Sequence, residues 1–225
     1  MTEFMPFIAF GVALAAYIAW LMLRDRTSNK AHAQKLARLG FTPCPDEAET
    51  LAEKVTRLEN NAGYNYIIKD PMRASLGEKT VYFYTKSLRR YRKTVAETSE
   101  FLVPLERPSA GGLLMFIKPS NLPTGAATKF IGALAAGPWD AHPDDLVKLE
   151  VSIDIQAPNL LSVLAPAGAS LYDLVDAKTL AAMQQLGDCG ILIVMCRDSW
   201  CSLNGPSGRL PLNMERLWPI IRQLA

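Results

Sequence analysis

A twenty-residue apolar segment near the N-terminus constrains this chain more than any other feature. Residues 4–23 contain no charged and no strongly polar side chain. A helix of that length, at about 1.5 Å rise per residue, spans roughly 30 Å, which is the thickness of a bilayer's hydrocarbon core. Aromatic residues near the end of such a span are typical of the membrane interface. The sequence therefore predicts a transmembrane helix with the anchor residues Phe4, Phe10, Tyr17, Trp20 and Leu23.

A cleavable signal peptide and a buried core helix are the two alternatives for this segment. A signal peptide carries basic residues before its apolar run, whereas only Glu3 precedes this one. The basic residues follow it instead, at Arg24, Arg26, Lys30, Lys35 and Arg38. Because cytoplasmic flanks are enriched in Lys and Arg, we expect a single-pass protein of the plasma (inner) membrane. Its N-terminus faces out and its C-terminal part lies in the cytoplasm.

The rest of the chain has the composition of one globular domain. With 24 basic and 22 acidic residues the net charge is only +2, which argues against a dedicated nucleic-acid binder. The four cysteines form no disulfide framework, in keeping with a reducing compartment. Residues 1–40 are predicted to be the anchor and a basic juxtamembrane helix that ends at Gly40. Residues 41–225 are predicted to be a cytoplasmic α+β domain.

The α+β fold class follows from alternating strand patterns with helices at intervals. We expect a mostly antiparallel sheet of about five to seven strands, with helices packed on one face. Predicted helices cover Asp46–Asn61, Asp176–Gln185 with Gly187 as its stop, and a last helix capped by Asn213, which Pro219 should kink or delay. Predicted strands are Tyr64–Lys69, Lys79–Lys86, Thr94–Leu105, Gly112–Lys118, Val147–Gln156, Ile191–Cys196 and Trp200–Leu203, with the last two pairing.

A dense basic run follows the second predicted strand. It contains Lys86, Arg89, Arg90, Arg92 and Lys93. The plain interpretation is a solvated charged turn. The functional interpretation is contact with anionic lipid headgroups, since each basic residue near such a surface contributes about 1 kcal/mol. Nucleic-acid contact is disfavoured, because no wider basic face surrounds the run.

Few residues suggest catalysis or metal binding. His32 lies in the juxtamembrane segment, and His142 stands among carboxylates in a proline-rich loop, where it could act as a general base. No nucleophile motif accompanies it. The spacing of the three late cysteines is not that of a zinc knuckle, and no phosphate-binding fingerprint is present. We therefore predict no metal and no cofactor.

Two further segments are candidates for contact with a partner. Residues 125–137 are rich in small side chains, and Gly132 and Ala136 lie one helical turn apart. Such a face is compatible with core packing, with a partner's membrane helix or with the lipid surface. An acidic region follows at Asp140, Asp144 and Asp145, and its charge is opposite to that of the basic run.

These patterns favour a non-enzymatic interaction module. We expect an accessory, assembly or scaffolding subunit whose cytoplasmic domain docks on another membrane protein complex. The expected partners are membrane lipid and another membrane protein, with no nucleic acid and no identified small-molecule substrate. The alternatives are an anionic-lipid sensor that uses Lys86 to Lys93 and a membrane-bound enzyme centred on His142.

Overall fold

The computed structural model describes residues 33–91, 93–118, 143–149, 160–205 and 213–225. The chain divides into two units between Phe41 and Thr42. In the first unit, residues 33–38 are helical (α1) and the turn ends at Gly40, whose φ of +88° suits glycine. No helix within the described ranges is long and apolar enough to span a membrane. The predicted span 4–23, with all five anchor residues, lies outside these ranges.

The second unit is built on an antiparallel sheet. Every strand pair in the described part of this unit is antiparallel, and the sheet there has seven strands. Their order is β1-β2-β3-β4-β6-β5, and β7 pairs with β4. The strands are β1 Thr42–Pro43, β2 Asn65–Leu76, β3 Lys79–Arg90, β4 Lys93–Ile117, β5 Val147–Lys148, β6 Leu160–Ala165 and β7 Ile193–Asn204. The predicted α+β class is confirmed.

Helices α2 (Ala48–Glu59), α3 (Leu171–Leu174), α4 (Ala177–Gln185) and α5 (Met214–Leu224) accompany the sheet. The Asp176 carboxylate accepts from Thr179 N at 2.9 Å, and Asn213 Oδ1 accepts from Arg216 N at 3.3 Å. Both predicted N-caps are therefore confirmed.

Two details of the helix ends differ from the prediction. The chain continues past Gly187 as a 3-10 helix to Cys189 and ends at Gly190, whose φ is +88°. Gly187 instead permits a close approach, because a Cβ there would lie 2.6 Å from Lys118 O. Helix α5 begins at Met214, directly after its cap, so Pro219 does not delay its start.

Both faces of the sheet are buried, which corrects the prediction of helices on one face. Tyr82 and Tyr84 of β3 lie in the core beneath α2. Helix α2 contributes Leu51, Val55 and Leu58 to the same core. The alternate residues Val81 and Phe83 point to the other face and are buried as well. The segment around Gly187 packs against Ile117 on that second face. Continuous burial on β3 hides the period of two that would separate an inner from an outer face.

Strands β4 and β7 form one long ribbon that bends in the middle. Pro104 pairs with Trp200 and Leu113 pairs with Cys196, so residues 105–112 of β4 lie opposite only residues 197–199 of β7. Asp198 sits at the bend with a φ of +53°. The predicted strands Thr94–Leu105 and Gly112–Lys118 are thus parts of the single strand β4, which ends at Ile117. The predicted strands Ile191–Cys196 and Trp200–Leu203 are parts of β7, which begins at Ile193. Bulges keep both strands paired across the punctuating residues.

The ends of β7 come together across the bend. Leu192 N donates a hydrogen bond to Asn204 O at 2.9 Å. The bent ribbon consequently places residues from both halves of β4 and β7 in the same core.

The predicted strand Val147–Gln156 is described only at its start. Val147 and Lys148 form β5, and Leu149 N donates to Val163 O at 2.8 Å. Val147 is exposed, so the predicted burial is not observed at this position. Residues 150–159 lie outside the described part of the chain.

Candidate functional site

The most unusual feature of the core is a buried charge cluster formed by Glu59, Lys86 and Glu100. Lys86 Nζ lies 2.5 Å from Glu59 Oε1 and 2.8 Å from Glu100 Oε1. The side chain of Lys86 is 8% exposed and that of Glu100 is fully buried. Ionised groups remain in a protein interior only where they are paired and hydrogen-bonded. One cation therefore bridges two carboxylates.

Strand register explains how the cluster assembles. Lys86 of β3 lies opposite Thr98 of β4, and Glu100 is two residues further along β4, on the same face. Across the ribbon, Asn204 of β7 lies opposite Glu100. Glu59 is the last residue of α2, which packs over this face. The cluster thus connects α2 to the three central strands.

Hydrogen bonds surround the Glu100 carboxylate. It accepts from Thr98 Oγ1 at 2.8 Å, from Ser202 Oγ at 2.9 Å and from Asn204 Nδ2 at 3.0 Å. The Tyr84 hydroxyl stands 3.5 Å away. These donors replace the water that the carboxylate loses on burial.

Burial and charge act on the cluster in opposite directions. Burial alone would lower the pKa of Lys86, but the charges of Glu100 and Glu59 outweigh it and raise that pKa. Burial, together with the charge of Glu100, raises the pKa of Glu59. Lys86 therefore stays protonated, and a protonated amine is not a nucleophile. Glu59 is the member of the cluster that is disposed to take up a proton.

The cluster borders a small cavity of about 30 Å³. Its lining includes the polar residues Lys86, Ser202 and Asn204 and the apolar residues Leu114 and Met195. That volume accommodates about two water molecules, far below the hundreds of cubic ångströms of a substrate pocket. Among the described residues, Asn204 Oδ1 has no hydrogen-bond partner. The cluster is suited to stabilising the interior rather than to turning over a substrate.

The exposed part of the basic run lies at the tip of the β3–β4 hairpin. We use the name hairpin tip for Arg89, Arg90, Tyr91 and Lys93. Tyr91 is 86% exposed and adopts a left-handed backbone with φ of +48°. The Arg90 guanidinium lies 5.6 Å from the Tyr64 ring and 5.5 Å from the Tyr91 ring. These are cation–π distances, so the tip presents cations and an aromatic ring together.

The structure consequently divides the predicted basic run. Lys86 is buried in the charge cluster and contributes no exposed charge. Arg90 and Lys93 are exposed, Arg89 is half-buried, and Arg92 lies outside the described residues. Contact of the exposed members with lipid stays a prediction.

Of the acidic partner candidates, the structure describes Asp144 and Asp145. Asp145 forms a bidentate ion pair with Arg197, with both N–O distances at 2.8 Å. Hydrogen bonding by Arg197 lowers the pKa of Asp145 to about 2. Arg197 Nε also donates to Leu58 O at 3.0 Å, so Asp145 helps to hold the ribbon bend to α2. Asp144 is exposed.

The remaining sequence candidates are not brought into a site. Lys35 and Arg38 are exposed residues of α1. No group of three His, Cys, Asp or Glu side chains arranged for a metal occurs in the described ranges. Candidates outside those ranges are Arg24, Arg26, Lys30, His32, Gly132, Ala136, Asp140 and His142.

Sequence reasoning missed the acidic partners of Lys86. Thr98 and Glu100, like Ser202 and Asn204, are polar residues spaced two apart in their strands. Such spacing places each pair on one face of its strand. Recognising that this face was buried would have pointed to an internal polar network.

Fold and site together define an antiparallel α+β domain with a buried, internally paired charge cluster and an exposed basic hairpin. No family model matches the chain, and no curated protein matches it. One solved structure is similar, the crystal structure of the mycobacterial trehalose monomycolate transport factor A, TtfA. The identity is 10%, the match covers 77% of this chain and 91% of that chain, and the TM-score is 0.38.

Proposed function

We propose that this protein is a single-pass, membrane-anchored interaction module. Its cytoplasmic domain docks on another membrane protein complex as an accessory, assembly or scaffolding subunit. The observation that carries the proposal is the uncharged segment 4–23, which is followed by five basic residues and preceded by none. That asymmetry favours a helix retained in the membrane with its C-terminal side in the cytoplasm.

The charge cluster is built as a structural element rather than as a catalytic one. Lys86, Glu59 and Glu100 satisfy one another in the core, beside a cavity with room for about two waters. A catalytic acid or base needs hydrogen-bond reach to a bound substrate. The three charged groups of the cluster face one another instead.

Native purification of the full-length chain tests this proposal. The protein is extracted in mild detergent, separated by size exclusion, and its co-eluting proteins are identified by mass spectrometry. A control chain carries an unrelated single span in place of residues 1–40. Docking through the domain predicts one stoichiometric membrane partner that is retained by the control. A lone monodisperse species would contradict the proposal, and loss of the partner from the control would place the contact in the anchor.

The hairpin tip supports a second candidate function, recognition of anionic lipid. Arg90 and Lys93 are exposed cations beside the exposed ring of Tyr91. Tyrosine favours the headgroup region, and basic residues are attracted to anionic headgroups within a Debye length.

Hydrogen exchange on the full-length chain in vesicles tests the lipid candidate. Peptides that cover the tip should be protected in anionic vesicles relative to zwitterionic ones, and added salt should weaken the protection. The variant Arg90→Glu/Lys93→Glu should lose it. The matched control Arg57→Glu/Lys178→Glu makes the same change in net charge at two exposed residues elsewhere and should keep it. Equal exchange in both vesicle types would exclude this function.

A further inference from the structure

Two of the four cysteines lie on either side of the bend in β7. Cys196 and Cys201 are both fully buried, and their Sγ atoms are 3.0 Å apart. Cys44 and Cys189 lie elsewhere, and neither contacts another sulfur in the described part of the chain. The close pair is therefore a local feature of the ribbon bend.

Backbone pairing fixes the geometry of this pair. Cys196 lies opposite Leu113 and Cys201 lies opposite Val103, so the two halves of β4 hold the two cysteines separately. The left-handed residue Asp198 reverses the chain between them. The hydrogen bond from Leu192 N to Asn204 O closes the same bend from its other end. The proximity of the sulfurs thus follows from the fold.

One of the two cysteines also borders open space. Cys196 forms part of the wall of a cleft of about 210 Å³, together with Leu105, Tyr172 and Met183. Cys201 is not part of that wall. Burial raises the pKa of Cys201, and the adjoining sulfur adds to the effect. Cys196 is thus the cysteine of the pair that lies next to the cleft, although its side chain is fully buried.

We propose that Cys196 and Cys201 form a peroxide-sensitive dithiol that closes to an intramolecular disulfide. The Cys196 thiolate attacks one oxygen of hydrogen peroxide, the O–O bond breaks, and the departing hydroxide takes up a proton to leave as water. The Cys196 sulfenic acid is then attacked by the Cys201 sulfur. An S–S bond forms, the S–O bond breaks, and the Cys201 proton leaves with the hydroxide as a second water.

The overall step is balanced. Two thiols and one peroxide give one disulfide and two waters, with two electrons passing from the sulfurs to the peroxide. Thiols such as glutathione reverse such a bond by exchange. This modification site is independent of the proposed partner and of the lipid contact.

Mass spectrometry of the full-length protein tests the site. The reduced protein is exposed to hydrogen peroxide, and its free thiols are then alkylated in denaturant. Trypsin cleaves after Arg197, between the two cysteines, so the disulfide appears as two peptides joined through sulfur with the loss of two hydrogens. The first of these peptides also contains Cys189, so fragmentation must show Cys189 alkylated and the bond at Cys196. We expect this pair before measurable oxidation of Cys44 or Cys189, and its loss on reduction.

Single variants test the order of the two steps. Cys201→Ser should stop at a sulfenic acid on Cys196, which dimedone traps, whereas Cys196→Ser should leave Cys201 unoxidised. If a variant fails to fold, the time course of disulfide formation in the wild-type protein still tests the proposal. Absence of the joined peptides, or oxidation of Cys44 and Cys189 at the same rate, would overturn the proposal.

Discussion

Lys86 and Arg90 belong to one basic run yet occupy opposite environments. Lys86 bridges Glu59 and Glu100 in the core, whereas Arg90 lies at the exposed hairpin tip over two tyrosine rings. The strand passes from the covered centre of the sheet to the projecting end of a hairpin within these few residues. The residues of a basic run in a strand therefore need not share one surface, because the position of each residue along the strand decides whether its charge reaches solvent.

Removing the buried cation should have the largest effect on stability. Lys86→Met leaves Glu59 and Glu100 facing each other without compensation, and breaking a buried pair in this way costs about 3–5 kcal/mol. Its matched control, Arg90→Met, loses only exposed cation–π contacts of about 0.5–1 kcal/mol. Urea unfolding of the full-length chain in detergent measures both. Equal losses would show that the two regions do not differ as described.

Neutralising one of the two carboxylates should recover part of that loss. In Lys86→Met/Glu100→Gln, Glu59 no longer faces a second carboxylate, and contacting residues show interaction energies of about 0.5–3 kcal/mol. The double variant should be less destabilised than the sum of its single variants by an amount in that range. Simple additivity in a double-mutant cycle of urea unfolding would contradict a coupled cluster.

Two carboxyl groups should affect the pH dependence of stability with opposite signs. Because burial raises the pKa of Glu59 above its usual value, its contribution is complete below about pH 4.5 and is lost as pH rises through the raised pKa. Arg197 lowers the pKa of Asp145 from 3.8 to about 2. The contribution of Asp145 to stability is therefore present above pH 3.8 and is lost as the pH falls toward 2.

Conservative amide variants separate these two contributions. Glu59→Gln should gain stability relative to the wild type as pH rises above 4.5. Asp145→Asn should lose stability relative to the wild type between pH 2 and 3.8 and then remain parallel to it. Urea midpoints across the pH range measure both differences, and the same sign for both variants would contradict the assignment.

The smallest expected effect concerns the strained residue at the hairpin tip. Tyr91 has a φ of +48° and is 86% exposed, so Tyr91→Gly relieves the backbone without emptying the core. We expect unfolding free energy to change by no more than about 1 kcal/mol, with relief of strain offset by chain entropy. Protection of the tip in anionic vesicles should nevertheless fall. A loss comparable to that of Lys86→Met would contradict an exposed tip.

Local signals predicted the elements that depend on local chemistry. The N-caps Asp176 and Asn213 satisfy backbone donors a few residues away, so their role is readable from the sequence. Helix α2 follows from its apolar period and ends at Asn60 in a left-handed conformation.

The ribbon and the cluster depend on contacts that no local window contains. Bulges let β4 run through Pro104 and Gly111 without ending, although these residues usually mark a break. Glu100 meets Asn204 only because β4 pairs with β7, more than a hundred residues later. Lys86 was predicted to contact lipid because it lies in a dense basic run. The density of charge along a sequence carries no information on how deeply a side chain is buried.

Thiol labelling in intact cells tests the proposed membrane anchor and the cytoplasmic location of the domain. The four native cysteines are buried, so a membrane-impermeant maleimide reports chiefly on an introduced cysteine. We predict that Thr2→Cys is labelled in intact cells, whereas Tyr91→Cys is labelled only after the cells are opened. Labelling of Tyr91→Cys in intact cells, or protection of Thr2→Cys there, would contradict it.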